Sequence, residues 1–195
     1  MVLIRRWMAM VVALVLVAAA CSGSTLTASE YFDQINALTE ELDQAMDDLG
    51  ATYEADLNTS IDTLRIDRDM SDPSELAGFM SDLTDVAIAK TVVWLDGTEA
   101  PLRAFLASLE EMNPPEDVQL AHNSMVTATQ NALAVLPDTT AQVRTVGTAV
   151  DLAVVVENSP FAEATGELQN ACLALQTVAT DKTIDVQIDC GMGSS

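Results

Sequence analysis

The chain has 195 residues and a formal charge of -22, from 30 acidic residues against eight basic ones, and 49% of it is hydrophobic. That length suits a single domain with a real core. The acid surplus excludes a protein that holds the phosphate backbone of DNA or RNA, because such affinity comes from Lys and Arg displacing counterions. The apolar content argues equally against an unfolded acidic coil.

Residues 1–20 read as an export signal. Arg5 and Arg6 supply the charged start, an apolar run extends from Trp7 to Val17, and Ala18, Ala19 and Ala20 follow it. The apolar stretch after Arg6 is 14 residues long. It is shorter than the roughly 20 residues needed to span a bilayer. Cys21 comes directly after the alanines, and Ala18-Ala19-Ala20-Cys21 resembles the lipobox of bacterial lipoproteins. The resemblance covers the first two dozen residues, with Ala18 where many lipoboxes carry Leu. It implies that Cys21 is lipidated and becomes the mature N-terminus, anchored to a membrane outside the cytoplasm. Ordinary secretion with cleavage at the alanines is the other outcome of the same signal. Residues 21–27, small and polar, would then be a tether of about 20 Å, and residues 28–195 the folded domain. Three cysteines leave one thiol over in an exported protein. With Cys21 lipidated, Cys172 and Cys190 are left to pair as a disulfide.

The folded part reads as long helices. From Tyr31 to Leu64 apolar or small residues recur about every 3.6 positions, behind the capping box Thr27-Ala28-Ser29-Glu30, so helix one is expected from residue 28 to the mid-60s. Asp72-Pro73-Ser74-Glu75 opens helix two, whose inward face runs through Leu76, Met80, Leu83, Ala87, Trp94, Leu102, Phe105, Leu109 and Met112, interrupted by Lys90 and Thr98. Pro101 predicts a kink, or a break at Asp96-Gly97. Asn113-Pro114-Pro115-Glu116 predicts the start of helix three near residue 114. Its stripe of Val118, His122, Met125, Ala132, Leu136, Val143, Val150 and Val154 crosses Pro137, where a kink or short interruption is expected. Ser159-Pro160 opens helix four, with Phe161, Leu168, Cys172, Leu175 and Val178 inward. Beyond Lys182, Ile184, Val186, Ile188 and Cys190 alternate with polar residues, as in an extended segment lacking a partner strand. The fold class that follows is all-α: an antiparallel four-helix bundle of long kinked helices with an extended C-terminal tail. In its composition the mature domain resembles the acidic, Ala- and Thr-rich helical lipoproteins of bacteria, a likeness that carries no activity with it.

Chemistry is sparse. His122 is the one histidine, so sites needing two are excluded, and with Met125 one turn away it reads as a core or boundary residue ahead of a copper ligand. Asp67-Arg68-Asp69-Met70-Ser71 begins like a calcium loop, but Asp72 stands where Gly is required and Gly78 where the bidentate Glu belongs. Nucleophile elbows, phosphate loops and haem attachment motifs are missing. The expectation is a non-enzyme without metal or cofactor. It would be a lipid-anchored envelope module, meeting an envelope protein or cell-wall material through its acidic surface, with an exposed apolar patch as its mark. The alternative is a carrier or sensor holding a small ligand or cation between helices, with small residues such as Ala45, Ala87, Thr98, Thr129 and Gly147 leaving room; a pocket of several hundred Å³ would mark it. In a third reading the acids only solvate the protein in a salty habitat, and stability rises with salt.

Overall fold

A computed structural model describes residues 25–66 and 68–191. The expected signal peptide, Cys21, most of the tether and Asp67 lie outside the described residues. Four long helices and one short one follow in chain order: α1 (Ala28–Arg65), α2 (Pro73–Glu111), α3 (Gln119–Arg144), α4 (Ala149–Glu157) and α5 (Pro160–Asp181). α1 packs on α2, α2 on α3, and α3 on α5, while α4 leans on α2 and α3. The side between α1 and α5 is joined with little close backbone approach. The chain is thus all-helical, arranged as a four-helix bundle.

Each start signal acts as its chemistry requires. Thr27 and Glu30 form the reciprocal capping box of α1. Asp72 caps α2 by accepting from the Ser74 N–H, and Ser159 caps α5 by accepting from that of Ala162; each is followed by proline at the first helical position. The corner at Asn113-Pro114-Pro115 differs from expectation. It stays extended, the Leu26 N–H donates to the Asn113 carbonyl, and α3 begins at Gln119 with no side-chain cap.

The prolines do not break the chain. α2 continues through Pro101 and α3 through Pro137. The long third helix instead ends at Arg144, and the stripe expected to run on to Val154 is cut by Thr148, whose hydroxyl accepts from the Asp151 N–H and starts α4. Val150 and Val154, expected inward, are exposed on α4, and Leu152 is its buried residue.

Length mismatch shapes the molecule. α1 and α2 have 38 and 39 residues, α3 and α5 only 26 and 22. At 1.5 Å per residue the first pair outruns the second by roughly 20 Å. The buried residues of α1 stop at Leu42, and those of α2, Phe79 apart, begin at Thr91. Between these points the two helices form an arm that covers itself on one side only. Leu76 and Met80, expected inward, are therefore exposed, and Phe79 takes the interior under the Arg68 guanidinium, 5.9 Å from its ring centroid. Gly97 lets the helices close up, since a Cβ there would stand 3.0 Å from Leu49 Cδ2.

The tail is pinned twice. Cys172 and Cys190 are bonded, with Cα atoms 5.6 Å apart. The Gln176 carboxamide donates to the Val186 carbonyl at 3.0 Å and accepts from the Ile188 N–H at 2.7 Å, which gives the lone extended segment the pairing a second strand would supply. Between helix and tail, Thr183 sits at φ 58°, and the Thr183 and Ile184 N–H groups donate back to Thr180 and Ala179. This is a Schellman closure with a β-branched residue where glycine fits best. Thr183→Gly should raise stability by about 0.5–1 kcal/mol, since the left-handed conformation costs a β-branched residue more than glycine loses in chain entropy. Urea unfolding showing a loss instead would mean that the Thr183 side chain contributes more than its strain.

Inside the core Tyr31 Oη lies 3.1 Å from His122 Nδ1, both residues being buried. Burial pushes the Tyr31 phenol well above its usual range, so the hydroxyl keeps its proton and donates, leaving Nδ1 as the acceptor. Burial also holds the His122 imidazole below its ordinary value of 6.5. The unfolded chain then takes up a proton that the folded one resists, so acidification through about pH 6.5 costs stability until the folded group also titrates. Between about pH 7 and about pH 5 the wild type should lose more stability than His122→Gln. Parallel curves for the two proteins would disprove the linkage.

Candidate functional site

Where α3 and α5 end and the arm departs, a cleft of about 570 Å³ opens between α1, α2, α4 and α5. One face of α1 forms a wall: Leu42, Met46, Asp47, Gly50, Ala51 and Glu54 follow each other at helical spacing. α2 contributes Trp94, Leu95 and Leu102, and α3 places Thr139 at the floor. Val156 and Ser159 come from the α4–α5 junction, and Phe161, Ala162 and Thr165 from the first turns of α5. Trp94 and Phe161 meet edge to face at 6.4 Å, closing one side with aromatic surface.

Space is left by small residues in helices. A Cβ built on Gly50 would meet nothing within 4 Å. No backbone approach or positive φ calls for that glycine, yet in a helix interior it costs roughly 1 kcal/mol relative to alanine. The small residues expected to open a cavity lie elsewhere: none of Ala45, Ala87, Thr98, Thr129 and Gly147 lines the cleft. Thr98 and Thr129 are wholly buried, and their hydroxyls donate to Leu95 and Met125 carbonyls within their own helices. The signal that marks the cleft in sequence is Gly50-Ala51 in the middle of the α1 pattern.

The polar groups of the cleft divide sharply. The Ser159 hydroxyl donates to the Val156 carbonyl and accepts from the Ala162 N–H, and the Thr165 hydroxyl donates to the Ala162 carbonyl. Thr139 is 1% exposed and its Oγ1 has no hydrogen-bond partner. The charged lining residues, Asp47 and Glu54, are both acidic and exposed at the mouth. Among the described residues no lysine or arginine lines the cleft.

The other candidates have local uses. His122 is occupied by Tyr31, with Met125 packed in the core one turn on. Asp69 accepts from the Ser71 N–H and hydroxyl, and these bonds hold its carboxyl below the usual range. Asp72 is likewise held down by Ser74 as the cap of α2. Among the described residues no cluster of three or more His, Cys, Asp or Glu side chains stands ready for a metal, and no helix is long and apolar enough to cross a membrane. No family model, curated protein or solved structure matches the chain.

An unpaired buried hydroxyl costs about 1–3 kcal/mol, whereas valine fills nearly the same volume without it. Thr139→Val should therefore stabilise the ligand-free protein by about 1 kcal/mol, while Thr129→Val, which removes a satisfied hydroxyl, should destabilise it. Equal losses in chemical denaturation would show that Thr139 is as well satisfied as Thr129.

Proposed function

We propose that the protein is a non-catalytic lipoprotein of the cell envelope, exported, anchored through Cys21, and acting as a carrier or sensor that holds a small ligand between its helices. The observation that carries this reading is the cleft at the root of the arm. Its volume of about 570 Å³ lies in the range of small-molecule sites, and it combines an apolar wall with a few polar groups, one of them without a partner in the protein. A bundle serving only as a spacer has no use for a hollow beside Trp94 and Phe161, where two larger side chains would fill it.

The interaction-module reading keeps one observation of its own. Ile66, Met70, Leu76 and Met80 are exposed around the tip of the arm, on a surface otherwise rich in acids. Apolar side chains gathered this way mark protein contact sites. A partner seated there would be compatible with a filled cleft, since the two lie at opposite ends of the arm.

Native mass spectrometry on protein extracted from its own membranes tests the reading. The expected mass is that of residues 21–195 plus acyl chains, less two protons for the disulfide, with a further non-protein mass at fixed stoichiometry. Gly50→Leu fills the hollow and gains helix propensity, so it should fold at least as stably and lose that further mass. Cys21→Ser should release the protein from membranes. Retention of that variant overturns the anchor, and absence of any bound mass in the wild type overturns the carrier.

A further inference from the structure

Resting on the carrier reading, we infer that the cleft selects apolar organic cations: molecules with a compact hydrocarbon or aryl body, a positively charged amine, and at least one hydrogen-bonding atom. Three features of the lining converge on that class. The wall is apolar, from Leu42 and Met46 through Leu95 to Phe161, so it rewards an uncharged body by removing it from water. Among the described residues the only ionised side chains lining it are Asp47 and Glu54, two turns apart on one face of α1, and neither has an ion-pair or hydrogen-bond partner there. Trp94 adds an aromatic face of the kind that attracts an ammonium group. An anion meets the opposite conditions, with two carboxylates at the entrance and no base to receive it.

Thr139 separates this site from a surface acidic cluster. Its hydroxyl is buried without a hydrogen-bond partner among the described residues, while those of Ser159 and Thr165, which also line the cleft, are satisfied locally. Structures keep such groups where something outside the chain completes them. The bulk field acts in the same direction, because the surplus of acid draws cations toward the molecule before they reach the cleft.

The test uses the mature lipidated protein in neutral detergent. Trp7 leaves with the signal, so Trp94 is its sole tryptophan and its fluorescence reports the cleft directly. Three probes of matched shape are titrated: 4-phenylbutylammonium, 4-phenylbutanol and 4-phenylbutanoate, with Gly50→Leu as the blocked control for partition into detergent. The ammonium should bind about fivefold more tightly than the alcohol, the scale expected of two exposed carboxylates, and the carboxylate more weakly than either. In Asp47→Asn combined with Glu54→Gln, the advantage of the ammonium over the alcohol should shrink to the part that Trp94 and the bulk field supply, while the affinity for the alcohol stays the same. If none of the probes gives a response that Gly50→Leu removes, the carrier reading falls and this inference with it. If the alcohol or the carboxylate binds as tightly as the ammonium, the cation preference is wrong and the carrier reading stands. A preference that is undiminished in the doubly neutral variant overturns the role given to Asp47 and Glu54.

Discussion

A four-helix layer holds only as far as its shortest helix, and everything distinctive here follows from two helices being longer than the other two. α3 and α5 cover α1 and α2 over part of their length, and there the core contains Tyr31, Phe32, Leu95, Leu109, Met125, Leu168 and Leu175, all nearly inaccessible. Past Leu42 on α1 and before Thr91 on α2 the same inward faces have only each other. A helix pair can bury one stripe between its members but not a second, so the residues turned toward the missing neighbours stay half exposed or open. The cleft is the transition between the two regimes. It lies where the inner faces of α1 and α2 lose their cover and α4, too short to replace a full helix, bridges α2 and α3.

Helix phase was legible in the sequence because it is a local property; its consequences for exposure were not. The positions from Tyr31 to Leu64 on α1 keep one face throughout, as their spacing predicts, yet only the first part of that face is buried. Leu76 and Met80 have the right phase and the wrong place along the axis, which depends on where α3 and α5 end. Capping boxes led reliably to the starts of α1, α2 and α5, since the groups that satisfy the free N–H groups lie within three residues of them. The missed start at Thr148 uses the same chemistry with Asp151 as the partner, but the continuing valine stripe obscured it. The prolines, where a kink or a break was expected, break neither helix. Each removes one hydrogen bond and does not by itself end a helix whose flanks are well packed. The disulfide was reached by counting cysteines. Beyond the hint in Gly50-Ala51 the cleft was not legible, because a cavity is a statement about five elements at once.

Four of the few bases join different elements of the chain. Lys90 on α2 reaches Asp56 on α1 across the arm, and Arg144 at the end of α3 reaches Asp96 on α2. Lys182 after α5 pairs with Asp117 ahead of α3, holding that carboxyl below its usual range, and Arg68 in the arm's turn pairs with Asp82. These pairs are largely exposed, so each contributes little to stability. Their value is in register: with so many acids on the outer faces, misplaced helices would bring carboxylates together without a cation between them. Acids still far outnumber bases, and their mutual repulsion has to be outweighed by the aliphatic core.

Against that background, two features of the cleft run counter to stability. Gly50 weakens a helix that has no geometric need of glycine, and Thr139 buries a hydroxyl with nothing to bond. Either is easily repaired, by alanine at the first position and valine at the second. The buried threonines Thr39, Thr98 and Thr129, by contrast, donate their hydroxyls to carbonyls of their own helices. Such inconsistencies also occur away from the cleft, at Gly166 and at Asn36 Oδ1, but two of them, on α1 and α3, meet at one hollow, as is expected where a site is kept open for something the chain does not contain. Gly50 and Thr139 lie on different helices, and what they share is the cleft between them.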